Sequence, residues 1–174
     1  MAAGASDRER FHVLFLCDGN TCRSPMAEAL LRLRAAGEGV EARSAGLYAV
    51  EGAPAARMAR EALPEAGGEL ERHRSRPLDG ELVAWADLVL TMTRRQRDEF
   101  RRRYPEAADR CFVLAEYALP DGWRAAEEEG VAETLEVADP AGSDAGAYRS
   151  VARQLERLID RLLERWRGEG GERR

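Results

Sequence analysis

The chain has 174 residues, 44% apolar and 34% charged, with a formal net charge of −5. Those proportions exclude a disordered polymer and leave room for one sizeable core, since a domain of this length buries roughly 70% of the surface its unfolded chain exposes. The acidic balance argues against a general nucleic-acid binder, and no run approaches the ~18 apolar residues of a membrane span, so neither nucleic acid nor membrane is expected as a partner.

Short apolar runs alternate with longer amphipathic ones from end to end. Residues 1–10 read as a flexible N-terminus. Phe11 to Leu16 has the length and composition of a buried strand, and Ser24 to Arg34 follows as a helix with Pro25 in its first turn. Val40 to Ala45 reads as a second strand. Ala53 to Leu63 reads as a helix closed off by Gly67-Gly68, and Pro77 to Ala84 as a shorter helix feeding the strongest strand, Asp87 to Met92. A polar helix from Thr93 to Tyr104 stops at Pro105, and Cys111 to Leu114 makes a fourth strand. Neither period is clear from Leu119 to Val137. Ala145 to Trp166 carries Val151, Leu155, Leu158, Ile159, Leu162, Leu163 and Trp166 at helical spacing and is expected to pack on the sheet, before a flexible tail at 168–174. This pattern implies a three-layer α/β domain over residues 11–167: a four-stranded parallel sheet, helices on both faces, and ligands at the strand C-termini.

The opening MAAGASDRERFHV lacks a basic-then-apolar leader, which makes the cytoplasm the expected address. Three cysteines and two histidines are too few and too badly spaced for a disulfide framework or a structural zinc site; no metal or organic cofactor is expected. All 27 basic residues are Arg, and Asn20 is the only Asn. Against that background CDGNTCRSP, directly after the first strand, stands out.

A tight Gly-Asn turn between a buried strand and a helix N-terminus aims successive backbone N–H groups into one concavity, an anion nest reinforced by the helix dipole. Here the turn runs through Asp18, Gly19, Asn20, Thr21 and Cys22. The same donors should acidify a thiol at the entrance, making Cys17 a nucleophile aided by the Ser24 hydroxyl. Arg23 can offer a planar fork to two oxygens of a phosphoryl group. Asn20 suits the turn because Asn tolerates positive φ.

VLFLCDGNTCRSPMAEALL resembles the opening of the low-molecular-weight protein phosphatases. The likeness continues through RSAGL at 43–47, HRSRPL at 73–78, ADLVLTMT at 86–93, FVLAEY at 112–117 and ADP at 138–140, and so spans about residues 11 to 165. It implies that fold, Cys17 as nucleophile, Arg23 as phosphate clamp, Ser24 as thiolate partner and Asp139 as general acid. It also places His73 beneath the cysteine loop, where it would brace Asn20, with Ser44 as a further supporting residue. His12 is read as structural. Phosphorylated proteins are the partners implied, and a monomer is expected.

Within the family, tyrosine-specific members usually carry a larger apolar residue where this chain has Thr21, whereas bacterial protein-arginine phosphatases carry CxGNTCRS as here. Phosphoarginine is therefore the expected substrate and phosphotyrosine the alternative. Ala141 departs from the aromatic residue common after the Asp-Pro, and Trp123 or Tyr148 could supply that wall. Arsenate reductases share the loop but need a resolving pair of downstream cysteines, whereas this chain has only Cys111, read as core. A phosphate-binding module without chemistry is the non-enzymatic alternative. Cys22 sits close enough in sequence to pair with Cys17 under oxidation.

Overall fold

The computed structural model describes residues 10–120 and 135–169. Four strands, β1 (Phe11–Cys17), β2 (Val40–Gly46), β3 (Leu88–Thr91) and β4 (Cys111–Val113), form one sheet in the order β2-β1-β3-β4. Every pairing is parallel, and Cys17 lies opposite Gly46 at the end of the β1–β2 ladder.

Side chains alternate across the central strand, as the two-residue period of an extended chain requires. Val13 and Phe15 join Met26, Leu30 and Leu31 of α1 (Arg23–Arg34) on one face, while Leu14 and Leu16 join Leu82, Val83 and Phe100 on the other. The long helix from Ala145 to Gly168 completes the first layer with the seven apolar residues read from its periodicity, all buried. Each such side chain contributes roughly 1.5–3 kcal/mol on burial. No helix among the described residues is long and apolar enough to cross a membrane.

The chain steps from β1 to β2 on one side, then crosses back over β1 to β3 on the other. The C-terminal ends of β1 and β3 thus flank a topological switch point, where helix N-termini and loops diverge and leave a crevice. The cysteine loop follows β1 into that crevice.

Four departures from the sequence reading have local causes. The helix expected from Ala53 begins only at Arg57, as α2 (Arg57–Ala62), because residues before it bond elsewhere: Ala53 N to Ser75 Oγ at 2.9 Å and Ala56 N to the Thr21 carbonyl at 2.9 Å. Gly67-Gly68 opens a further helix, α3 (Gly67–Arg72), rather than closing a unit; Leu70 is buried there and Glu69 pairs with Arg32. The helix expected from Pro77 starts at Gly80, as α4 (Gly80–Trp85), with Asp79 capping Leu82 N, because Leu78 N is held by the Gly46 carbonyl at 2.9 Å. Finally, β4 ends at Val113 and turns into α6 (Leu114–Ala118), a helix too short for its periodicity to show.

Between β3 and β4 lies α5 (Arg94–Arg103), entered through a capping box of Thr93 and Gln96. The last helix, α7, runs to Gly168 where the sequence suggested a tail, with Arg165 bonded to Glu169 and to the Tyr117 carbonyl. The expectations for 1–9, for 170–174 and for most of 119–137, Trp123 included, lie outside the described residues.

Candidate active site

The loop is organised around Asn20, which is fully buried and holds φ at +55°. Its amide Nδ2 donates to Ser24 Oγ and Ser44 Oγ, each at 2.9 Å, and its Oδ1 accepts from Arg76 N at 3.0 Å. Its carbonyl accepts from His73 Nε2 at 2.7 Å. Only a ring with its proton on Nε2 can donate there, so the carbonyl fixes the tautomer. Burial lowers the His73 imidazole from its ordinary value, chiefly against the pull of that same bond. Ser44 in turn donates to Glu28, a carboxylate buried on α1 and paired with Arg32 at 2.8 Å.

This frame places the thiol. Ser24 Oγ already accepts from Asn20, so its own proton is free to go to Cys17 Sγ at 2.9 Å, with the Ala45 carbonyl at 3.4 Å as a competing acceptor. Asn20 N approaches the same sulfur at 3.3 Å. Backbone closeness allows the tight turn: a Cβ on Gly46 would come within 2.5 Å of the Asp18 carbonyl and 3.1 Å of Asn20 Cβ. Leu47 N and Tyr48 N bond to the carbonyls of Cys17 and Asp18 at 3.0 and 2.9 Å, tying the loop to the end of β2.

An acidified thiol was expected, and the structure corrects that. Burial pushes the Cys17 thiol up and outweighs the donors that pull it down, Ser24 first, then Arg23 and Asn20 N. The donors named from sequence are all present; the loss of water around sulfur is what the sequence could not weigh. Ser24→Ala should therefore raise the pH midpoint for alkylation of Cys17 by iodoacetamide. An unchanged midpoint would remove Ser24 from the site.

Arg23 opens α1 and is 3% exposed. Its NH1 donates to the Val137 carbonyl at 3.0 Å, while NH2 lies 3.7 Å from Asp139 and 3.9 Å from Asp18. Its buried Nε has no hydrogen-bond partner among the described residues. Val137 is itself pinned to the end of β3 by a 2.9 Å bond to the Met92 carbonyl, so the segment carrying Asp139 is moored beside the cysteine loop. Asp139 is half exposed and closes a small turn, its Oδ1 accepting from Ala141 N at 3.0 Å. Cys17, Arg23 and Asp139, 122 positions apart at the extremes, thus share one place.

Cys22 is buried with its Sγ 3.4 Å from the Tyr148 hydroxyl and 3.7 Å from Thr21 Oγ1. Burial, Cys22 and Asp139 push the Tyr148 phenol up to about 12. Tyr148 thereby lies buried beside the cysteine loop. Cys111 lies in the core opposite Val89, its thiol pushed up to about 12 by burial. Asp18 is gripped by Arg95 NH2 at 2.6 and 2.8 Å. His12 stacks on Trp85 and reaches its carbonyl at 3.1 Å.

Sequence reasoning missed Glu28, Arg76, Arg95 and the Val137 carbonyl. A carboxylate between Met26 and Leu30 on an otherwise buried helix face was a legible sign of Glu28. Nothing in sequence marked Arg95, whose partner is 77 positions away.

A profile of the family described as low molecular weight phosphotyrosine protein phosphatase matches residues 12–170. The chain is 42% identical over 156 residues to a protein-arginine-phosphatase of Geobacillus stearothermophilus, covering 89% of this chain and 95% of that one. It is 34% identical over 158 residues to a probable low molecular weight protein-tyrosine-phosphatase, EpsP, of Ralstonia nicotianae, covering 91% and 97%. Among solved structures, the YwlE arginine phosphatase from Geobacillus stearothermophilus superposes with a TM-score of 0.79 at 39% identity, covering 94% of this chain and 97% of that one.

Proposed function

The chain belongs to the low molecular weight phosphotyrosine protein phosphatase family and is a phosphoprotein phosphatase; on that premise we propose that it hydrolyses phosphoarginine in proteins through a phosphocysteine. The nest of Gly19 to Ser24 and the Arg23 fork take the phosphoryl oxygens, with the partnerless Arg23 Nε supplying a donor where charge develops. The Cys17 thiol gives its proton to solvent, the thiolate, held by Ser24 and Asn20 N, attacks phosphorus, the P–N bond breaks, and Asp139 gives its proton to the leaving nitrogen. The guanidine leaves as arginine. Asp139, now a carboxylate, takes a proton from water as that oxygen attacks phosphorus, and the S–P bond breaks to release phosphate. Ser24 and Asn20 N stabilise the sulfur anion in both halves.

One observation carries the choice of arginine. Within the cysteine loop stands Thr21, short, polar and half-buried, in a chain whose 42% identical relative bears the name protein-arginine-phosphatase. A hydroxyl can accept from a guanidinium N–H, whereas a phenyl ring would leave it without a partner. Phosphotyrosine remains the second reading, supported by the 34% identical EpsP.

Thr21→Ile tests the choice, since it removes a polar partner and adds bulk suited to a ring. The ratio of kcat/KM for phosphoarginine over phosphotyrosine should fall by roughly 10- to 150-fold, the worth of one hydrogen bond to a charged group. An unchanged ratio would return the assignment to phosphotyrosine.

The same loop supports redox control. Peroxide would convert Cys17 to a sulfenic acid, and Cys22 would displace water from it to form a disulfide. Mild oxidation should be reversed by dithiothreitol in the parent and progress to sulfinic acid in Cys22→Ser. Mass spectrometry showing sulfinic Cys17 with Cys22 intact would exclude the protective disulfide.

A further inference from the structure

A cavity of about 250 Å³ opens between α1, β2 and the stretch from Glu69 to Arg76, on ground that the proposed reaction does not use. Four arginines, Arg32, Arg72, Arg74 and Arg76, share its walls with Glu28 and Glu69. Both carboxylates are taken. Arg32 holds Glu28 at 2.8 Å and Glu69 at 3.3 Å, Arg72 holds Glu69 at 2.8 Å, and Ser44 also donates to Glu28. Arg74 and Arg76 have no carboxylate partner among the described residues. Arg74 donates to the carbonyls of Glu71 and His73 at 3.1 and 2.7 Å, and Arg76 Nε to the Ser44 carbonyl at 3.0 Å.

Two cations therefore line one cavity in excess of its carboxylates. Burial, with Arg43 and Arg32 adding to it against Glu28, lowers the Arg76 guanidinium from its ordinary value, so an anion beside it relieves both repulsion and desolvation. The same cavity reaches the catalytic loop. Ser44, His73 and Arg76 all line it, and these three hold the Asn20 amide and carbonyl.

We propose that this cavity between α1 and the segment Glu69–Arg76 is a second oxyanion site, taking a phosphate dianion or a phosphomonoester of similar size. The site is separate from the nest at Cys17 and does not depend on which phosphoester the nest hydrolyses. Free phosphate and a phosphate carried on another protein share the required chemistry.

Inorganic phosphate titrated into ¹⁵N-labelled protein tests it by nuclear magnetic resonance. Two sets of amide shifts are expected, one over Gly19 to Ser24 and one over Glu69 to Arg76, with different midpoints. Arg74→Gln should weaken the second midpoint by about tenfold and leave the first in place. Arg76→Gln, which keeps its backbone bond to Asn20, should weaken the second likewise. A short phosphoserine peptide in place of phosphate distinguishes the sources: saturable shifts over Glu69 to Arg76 with either probe support the site and identify which form it takes. Shifts there with neither probe, or shifts that follow the midpoint of the cysteine loop in parent and variants alike, would overturn it. Since the readout is binding, failure here leaves the phosphatase reading intact, and loss of phosphatase activity would leave this site untouched.

Discussion

Cys17→Ser should lose turnover by about four orders of magnitude or more while still binding inorganic phosphate. The separation follows from the geometry. On the proposed mechanism the donors for a phosphoryl group are backbone N–H groups and Arg23, none of which the substitution removes, whereas the attacking sulfur is replaced by a hydroxyl with no base positioned to ionise it among the described residues. Ser24, the nearest polar neighbour at 2.9 Å, donates to that position and already accepts from Asn20. Single-turnover kinetics with a phosphoarginine peptide, beside calorimetric titration with phosphate, would check both halves. Near-normal turnover would sink the covalent mechanism, and loss of phosphate binding would mean the sulfur itself organises the nest.

Asp139→Ala should lower kcat on phosphoarginine by about 10²- to 10⁴-fold, the usual range for a positioned general acid. The effect should depend on the leaving group. A guanidine is a poor leaving group until its nitrogen is protonated, while p-nitrophenol departs readily without help. The loss on p-nitrophenyl phosphate should therefore be much smaller than on phosphoarginine in the same variant. Equal losses on the two would show that Asp139 orders the site rather than donating a proton. That contrast matters because Asp139 also closes a turn through Ala141 N and sits 3.7 Å from Arg23, so a purely structural role predicts losses of similar size on both.

Much of this arrangement is legible in sequence because it is local. The alternation of Val13, Leu14, Phe15 and Leu16 sorts itself onto two faces by the geometry of any extended chain, and CDGNTCRSP carries its strand, turn and helix start within nine residues. His73 beneath Asn20 came from a resemblance, and the structure gives that contact a distance of 2.7 Å. What stayed hidden depends on bonds made across the chain. Residues 53–56 and 77–79 read as helix by composition, yet the Thr21 and Gly46 carbonyls hold them extended. The grip of Arg95 on Asp18 joins two residues with no shared pattern. The balance at Cys17 was misjudged for a related reason: its hydrogen-bond donors are neighbours in sequence, but its burial is set by packing from distant elements.

The claim that this chain is an arginine phosphatase is tested most directly by kcat/KM on two peptides of one sequence, carrying phosphoarginine or phosphotyrosine at the same position. Recognition of the guanidinium by Thr21 and Asp139 predicts a preference for phosphoarginine of about tenfold or more. Equal rates, or faster hydrolysis of the phosphotyrosine peptide, would contradict it.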